Sequence, residues 1–211
     1  RDAITATQGL IIFCTDCAFG EGELQVKLTS TWISLHDGGE INDPVTLAIG
    51  DTHQGGVVFH LFVDGETGYV AGETHGLIAA VEDQSSGIRW YNGYNVTTGA
   101  TATAIGTGSA NTDAIISVQG ATTISYAAGL ARAYAGGGYT DWFLPSTDEL
   151  SQMYYNKTTL EGVSGFTAFS NYYWSSTELS ITYTWGQHFT NGAQFGGDKD
   201  FLLYLRAVRA F

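Results

Sequence analysis

Apolar and polar positions alternate in different ways along this chain, and the changes mark out its elements. Residues 4–13 read as one apolar strand, and Thr15-Asp16 and Gly20-Glu21-Gly22 then break the chain. Leu24-Gln25-Val26-Lys27-Leu28 has the two-residue period of a half-buried strand, and Trp32-Ile33-Ser34-Leu35 closes the segment. HDGGEINDP at 36–44 has the composition of a linker. A unit of two or three strands is marginal alone. Residues 1–43 are therefore expected to be an attachment or assembly arm, packed on a main domain at 44–211, on a neighbouring subunit, or on both.

In the main domain, strands are expected at 56–63 and 77–81, with a turn at Asp64-Gly65 between them. Residues 84–112 are rich in Ser, Gly, Thr and Asn and read as mostly loop. A short helix is expected at 112–118 and a longer one at 123–135, where Ile124, Ala127, Ala128, Leu130, Ala131 and Tyr134 recur at helical spacing before the glycine run at 136–138. The third helix has the clearest start. Pro145 precedes Ser146-Thr147-Asp148-Glu149, a capping box in which the Ser hydroxyl and the Glu carboxylate each satisfy an orphan N–H. Leu150, Met153 and Tyr154 then supply one apolar face. From Tyr172 on the pattern is β, with a type I′ hairpin expected at Asn191-Gly192 and one last strand over 201–211. The fold class is thus α+β, an antiparallel sheet with two to three helices.

Composition narrows the function classes. The chain of 211 residues is 44% hydrophobic and only 14% charged, so it folds, and Ser, Thr, Asn and Gly take over much of the polar surface. A formal charge of −13 repels phosphate backbones and anionic membranes, which argues against nucleic acid as a partner. No apolar run approaches the length that spans a bilayer. The chain opens on RDAIT without a signal peptide, as expected of a processed mature chain or an excised fragment. Cys14 and Cys17, spaced CxxC in an apolar run, suit a local disulfide closing a turn, two free thiols, or less readily a metal.

Seven blocks then occur in order: GGVVFHLF at 55–62, GLIAAVEDQSSGIRW at 76–90, AIGTGSANT at 104–112, GGYTDWFLPSTDELSQMY at 137–154, YYWSSTE at 172–178, WGQHFTNG at 185–192 and LRAVRAF at 205–211. Together they resemble the C-terminal domain of bacterial collagen-like surface adhesins, the Lcl C-terminal domain family. The resemblance covers about 55–211. It implies a secreted or surface-attached bacterial protein, a C-type-lectin-like fold with a twisted antiparallel sheet, and binding of polysaccharides, often as a trimer. TQGLIIFCTDC with ELQVKLTSTWISL at 7–35 is similar to a short β module of bacterial surface and fibre proteins. The tripeptides and the WND triplet with which calcium-dependent lectins hold their ion do not occur here, and neither do the basic patches that sulfated glycans need.

Individual residues sort on this basis. Tyr91, Asn92, Tyr94 and Asn95 alternate aromatic and amide within a Gly-flanked loop, the composition of a recognition surface, and Phe169 and Tyr172 are expected as exposed aromatics near it. Trp142 and Trp174 sit inside the family blocks and read as core. Glu149, Glu178, Arg206 and Arg209 read as structural ion pairing. On one continuous strand residues 206 and 209 face opposite sides, so one Arg is expected inside, paired with Asp141, Glu149 or Glu178. Asp198 and Asp200 form an acidic loop, a candidate for Ca²⁺ or a solvated turn. No other cofactor is expected. The five histidines show no ligand spacing, and no catalytic constellation is evident, so an enzyme is not expected. The function implied is an extracellular, non-enzymatic adhesion module recognising glycans or a cell surface. The alternative is a self-assembling filament subunit, in which Leu10, Ile11, Ile12 and Phe13 add to a neighbour's sheet edge.

Overall fold

The computed structural model describes residues 47–120 and 125–211 in full, and, of the N-terminal part, the backbone of strands at 3–6, 10–15, 23–28 and 31–35. The chain divides into two compact units, Arg1–Thr46 and Leu47–Phe211. The first holds β1 (Ala3–Ala6), β2 (Leu10–Thr15), β3 (Glu23–Leu28) and β4 (Thr31–Leu35), an antiparallel meander in chain order. Residues 4–13 are thus two paired strands, with Ala3 opposite Phe13 and Ala6 opposite Leu10. The other edge of β2 is taken by β3, from Ile11–Lys27 to Thr15–Glu23. Leu10, Ile11, Ile12 and Phe13, the residues expected to add to a neighbour's sheet edge, therefore lie on a strand that runs between β1 and β3. The linker at 36–44 and Cys17 lie outside the described residues, as do residues 121–124; of Cys14 only the backbone is described.

The second unit is α+β. One sheet runs β13–β7–β6–β5, built from β5 (Thr52–His53), β6 (Gly56–Leu61), β7 (Gly76–Ala80) and β13 (Val208–Ala210). The other runs β11–β10–β9–β12–β8, from β8 (Ser85–Ile88), β9 (Tyr172–Glu178), β10 (Tyr183–His188), β11 (Gln194–Asp198) and β12 (Leu203–Leu205). Pairing is antiparallel except for β12 against β9, which is parallel. Four short α-helices complete it among the described residues: α1 (Gly108–Gln119), α2 (Ala127–Ala133), α3 (Thr147–Tyr155) and α4 (Lys157–Glu161).

The apolar run GLIAA of β7 has no polar alternation because both faces of its sheet are covered. Val58, Ile78 and Ala80 face a cluster with Ile115, Ala127, Ala128, Ala131, Trp142 and Trp174. Val57, Phe59, Leu77 and Ala79 face a second cluster with Leu150, Met153, Leu160, Phe166, Phe169, Tyr173 and Phe189. The sheet therefore separates α1 and α2 from α3 and α4. Trp142 and Trp174 are buried, and each indole N–H donates to a backbone carbonyl, of Gly136 at 3.1 Å and of Ile88 at 2.7 Å.

Five local expectations change. The stretch 84–112 contains β8, and α1 begins at Gly108 rather than at 112. Its first turn is polar yet buried, because Asn111 exchanges hydrogen bonds with the backbone of Ala102 and Thr112 is bonded to Gly108 and Leu144. Helix α2 is shorter than 123–135, with Tyr126 extended at its N-cap. At the β10–β11 hairpin only Gly192 has positive φ, at 79°, so the type I′ turn does not form. Asn191 instead accepts the Ala193 N–H through its side chain, and the Gly192 N–H donates to the His188 carbonyl. The last strand is broken as well. β12 belongs to one sheet and β13 to the other, with the crossing at Arg206-Ala207.

Candidate functional site

Helix α3 positions a polar concavity of the unit. Its start is held by the capping box: the Glu149 N–H donates to Ser146 Oγ at 3.3 Å, and the Ser146 N–H donates to Glu149 Oε2 at 2.8 Å. Glu149 is fully buried and also accepts from the N–H groups of Gly106 and Gly108, so one carboxylate pins the starts of both α1 and α3. Burial pushes its carboxyl up to about 7, against the opposing pull of those backbone donors.

Leu150 and Met153 fix one face of α3 in the core. Asp148, Ser151, Gln152 and Tyr155 stand at i, i+3, i+4 and i+7, which places them together on another face. Opposite them, Gln187 on β10 and Gln194 on β11 are direct cross-strand partners. These six residues and Gly192 line a groove of about 440 Å³. Ser151 and Gln187, both buried, form its floor, with Ser151 Oγ donating to Gln187 Oε1 at 3.3 Å. Gln194 Nε2 donates to Ser151 Oγ at 2.9 Å, and Gln187 Nε2 donates to the Gly192 carbonyl at 3.0 Å. The floor is thus oriented by its own hydrogen bonds. Asp148 and Gln152 on the wall make no side-chain hydrogen bond among the described residues, and burial raises the Asp148 carboxyl above its ordinary value.

Tyr155 is 71% exposed at the rim. It also borders a second groove of about 420 Å³, lined with Tyr154, Lys157, Thr158, Glu161, Phe189 and Thr190. In that second groove Lys157 donates to the Phe189 carbonyl at 3.1 Å and lies 3.7 Å from Glu161. A larger concavity of about 510 Å³ borders β8 and α2. Its one side-chain amide, Gln84, is committed at both ends, to the Glu82 carbonyl and the Ala207 N–H. Of these three concavities, the groove beside α3 is the one in which amides, a carboxylate, a hydroxyl and an exposed aromatic ring converge, with polar groups still open to a ligand.

The residues expected to bind ligand lie elsewhere and apart. The 91–95 loop is pinned on the end of α1: the Asn92 N–H donates to Gln119 Oε1 and its amide to the Gln119 carbonyl, while the Tyr94 hydroxyl donates to the Val118 carbonyl. Ser125 Oγ donates to Asn92 Oδ1, so the Asn92 amide is engaged at both atoms. Tyr91 is half-buried against the core, and Tyr94 and Asn95 are exposed. Tyr172 is exposed and stacks on His188 at 4.3 Å, with Phe195 edge-on. By strand alternation His188 faces away from Gln187, so this aromatic cluster lies on the sheet face opposite the groove. Phe169 is a correction. It is buried because its apolar ring packs among Phe166, Tyr173 and Phe189, with the Arg206 guanidinium over it at 4.7 Å.

Both arginines are buried, against the expectation of one. The parity argument assumed a continuous strand, and the sheet crossing at Arg206 resets it. Arg206 pairs with Asp83 at 2.7 Å and donates to the carbonyls of Ala80 and Thr167. Arg209 pairs with Asp141 and also bonds Gln54. Glu178 pairs with Lys199 rather than with an arginine. Asp198 and Asp200 form a tight turn, the Asp200 N–H donating to Asp198 Oδ1 at 3.4 Å. Among the described residues no three His, Cys, Asp or Glu side chains converge as metal ligands, and no helix is long and apolar enough to cross a membrane.

The groove was missed from the sequence because Ser and Gln carry no apolar periodicity. The polar i, i+3, i+4, i+7 set that follows the capping box was the signal available. Among protein families, the Lcl C-terminal domain matches residues 79–209, a span that contains every residue lining the groove. No curated protein matches the chain.

Proposed function

Since this chain belongs to the Lcl C-terminal domain family, we propose that it is a non-enzymatic recognition module of a bacterial surface protein, and that it holds a glycan in the groove between α3 and the β10–β11 hairpin. This reading also assigns the second unit to the C-type-lectin-like class. It makes the protein extracellular and its ligand a polysaccharide or a cell-surface glycan.

The observation that carries the proposal is the convergence of three amides, a hydroxyl and a carboxylate beside the exposed ring of Tyr155. Sugar hydroxyls are donors and acceptors at once, and amides and carboxylates match them in pairs. The apolar face of a pyranose packs on an aromatic ring such as that of Tyr155. The groove is open and polar, and one carboxylate lines it. Glycoside hydrolysis by the usual route uses two carboxylates flanking the bond, so binding without cleavage suits this set better.

The test is a glycan array probed with the full chain and with Gln152→Ala, Tyr155→Ala and Tyr94→Ala. The proposal expects glycan hits that weaken with the first two substitutions and persist with Tyr94→Ala. Hits lost only with Tyr94→Ala would move the site to the 91–95 loop. An array without hits would remove the glycan reading.

A further inference from the structure

We propose that the groove beside α3 selects a cationic glycan, one carrying free amino groups such as a deacetylated hexosamine polymer, with Asp148 as the residue that meets the ammonium. The inference rests on the glycan-binding reading above and specifies its ligand.

The charge inventory of the groove is one-sided. Its lining residues are Asp148, Ser151, Gln152, Tyr155, Gln187, Gly192 and Gln194, without a Lys, Arg or His among them. Asp148 has no salt-bridge or hydrogen-bond partner for its carboxylate among the described residues, whereas Asp83, Asp113, Asp141, Glu161 and Glu178 each have a cationic partner within 4.0 Å. The nearest lysine along the chain, Lys157, lines the adjoining groove and is occupied by the Phe189 carbonyl and Glu161.

Partial burial raises the Asp148 carboxyl, which is the mark of an anion that has lost some water and gained no counter-charge. A ligand ammonium brought to it makes a charge-assisted hydrogen bond, stronger than a neutral one. A ligand sulfate or carboxylate in the same place meets repulsion from Asp148 and from a chain of formal charge −13.

The rest of the wall suits the same ligand. Tyr155 lies seven residues along α3 from Asp148, about 10 Å along the helix axis. A ring stacked on Tyr155 and an amino group at Asp148 therefore belong to neighbouring sugar units. Tyr155 favours a cationic sugar further, since a cation over a phenol face is attracted by its quadrupole. Gln187, whose amide nitrogen is taken by the Gly192 carbonyl, contributes only its oxygen to this side of the groove, and that oxygen already accepts from Ser151. The adaptable groups at the wall are Gln152 and the oxygen of Gln194, which can meet ring hydroxyls.

The experiment is calorimetric titration of the full chain with two β-1,4-linked tetrasaccharides of one backbone, a glucosamine tetramer and its fully N-acetylated counterpart, at one pH and one salt concentration. It is run on wild type, Asp148→Asn, Tyr155→Ala, and Asp64→Asn as a control carboxylate on an exposed loop. The proposal expects the free-amine tetramer to bind about tenfold tighter than the acetylated one. Asp148→Asn should remove that preference, and Asp64→Asn should keep it. The Asp148 side chain is only partly buried and is unbonded among the described residues, so Asp148→Asn should melt with wild type.

Equal or tighter binding of the acetylated tetramer, weakened by Tyr155→Ala, overturns the cationic selection and leaves the glycan reading standing. A free-amine preference that survives Asp148→Asn overturns it too, because the preference then comes from the net charge of the whole protein. Binding of neither tetramer by a protein with other hits on the array overturns the selection alone. Absence of any hit on the array removes both readings together.

Discussion

The pair Lys199–Glu178 offers the sharpest test of how the second unit holds together. Both side chains are out of solvent, at 0% and 1% exposure, with Nζ and Oε1 2.5 Å apart. Lys199 also donates to the carbonyls of Val96 and Ile181, and its ammonium lies 4.6 Å from the Trp90 ring. Glu178 accepts from the Thr98 and Gly99 N–H groups. The pair therefore ties the 96–99 loop to the end of β9, to the β9–β10 turn and to the segment after β11.

Lys199→Met keeps most of the aliphatic stem and removes the charge. It leaves a buried carboxylate with backbone donors only, and two carbonyls without their donor. Breaking a buried pair from one side costs about 3–5 kcal/mol. That is a large part of the roughly 5–15 kcal/mol by which a domain is stable. For a domain of this size it lowers Tm by about 6–20 °C. Urea titration followed by circular dichroism measures the cost directly. The double variant Glu178→Gln/Lys199→Met retains an acceptor for Thr98 and Gly99 without the stranded charge. It should be more stable than the sum of the single effects by about 1–3 kcal/mol. A Lys199→Met protein within about 1 kcal/mol of wild type, or strict additivity in the double variant, would refute the reasoning. Either result would mean that water reaches the pair and screens it.

Other consequences are testable in the same way. Glu149 has a folded pKa of about 7 against an ordinary 4.5, so the native state holds a proton that the unfolded chain releases between those values. Stability should therefore fall as pH rises from 4.5 to 7, by on the order of 3 kcal/mol from this group, and the decline should flatten in Glu149→Gln, as read by Tm against pH. A methyl at Gly108 would overlap the Glu149 carboxylate and crowd the Leu144 carbonyl, so Gly108→Ala should cost about 1–3 kcal/mol in urea titration. Phe169→Ala should cost about 3–5 kcal/mol, as expected of a buried ring packed on Phe189 and Arg206. Tyr155→Ala should stay within about 0.5 kcal/mol of wild type, so any change in ligand binding by that variant reports the groove and not the fold.

Much of the fold was legible because it rests on local chemistry. The capping box at Ser146–Glu149 starts α3 where its residues say, and the apolar runs of β6 and β7 stand where both faces of a sheet are covered. The start of α1 was hidden because its buried turn is polar, and Asn111 and Thr112 are accommodated by backbone groups distant in sequence. The sheet crossing at Arg206 was hidden for a related reason. LYLRAVRAF has strand character throughout, and only the positions of β9 and β7 decide that it serves both sheets.

The groove lies between these cases. The polar face of α3 follows from helical spacing alone, but its opposing wall comes from Gln187 and Gln194, which no short-range pattern connects to Ser151. The ion pairs were legible in kind and not in partner. A buried charge demands a counter-charge, and Asp83 and Lys199 reach theirs across more than a hundred residues and across a hairpin respectively.

The central claim is that ligand enters between α3 and the β10–β11 hairpin. Its most direct test is a two-dimensional NMR titration of the ¹⁵N-labelled chain with the glycan that gives the strongest array signal. The account predicts that amide shifts concentrate at residues 148–155 and 187–194, and that Tyr155→Ala abolishes them. Shifts concentrated at 91–95, or around Tyr172 and His188 on the opposite sheet face, would contradict it.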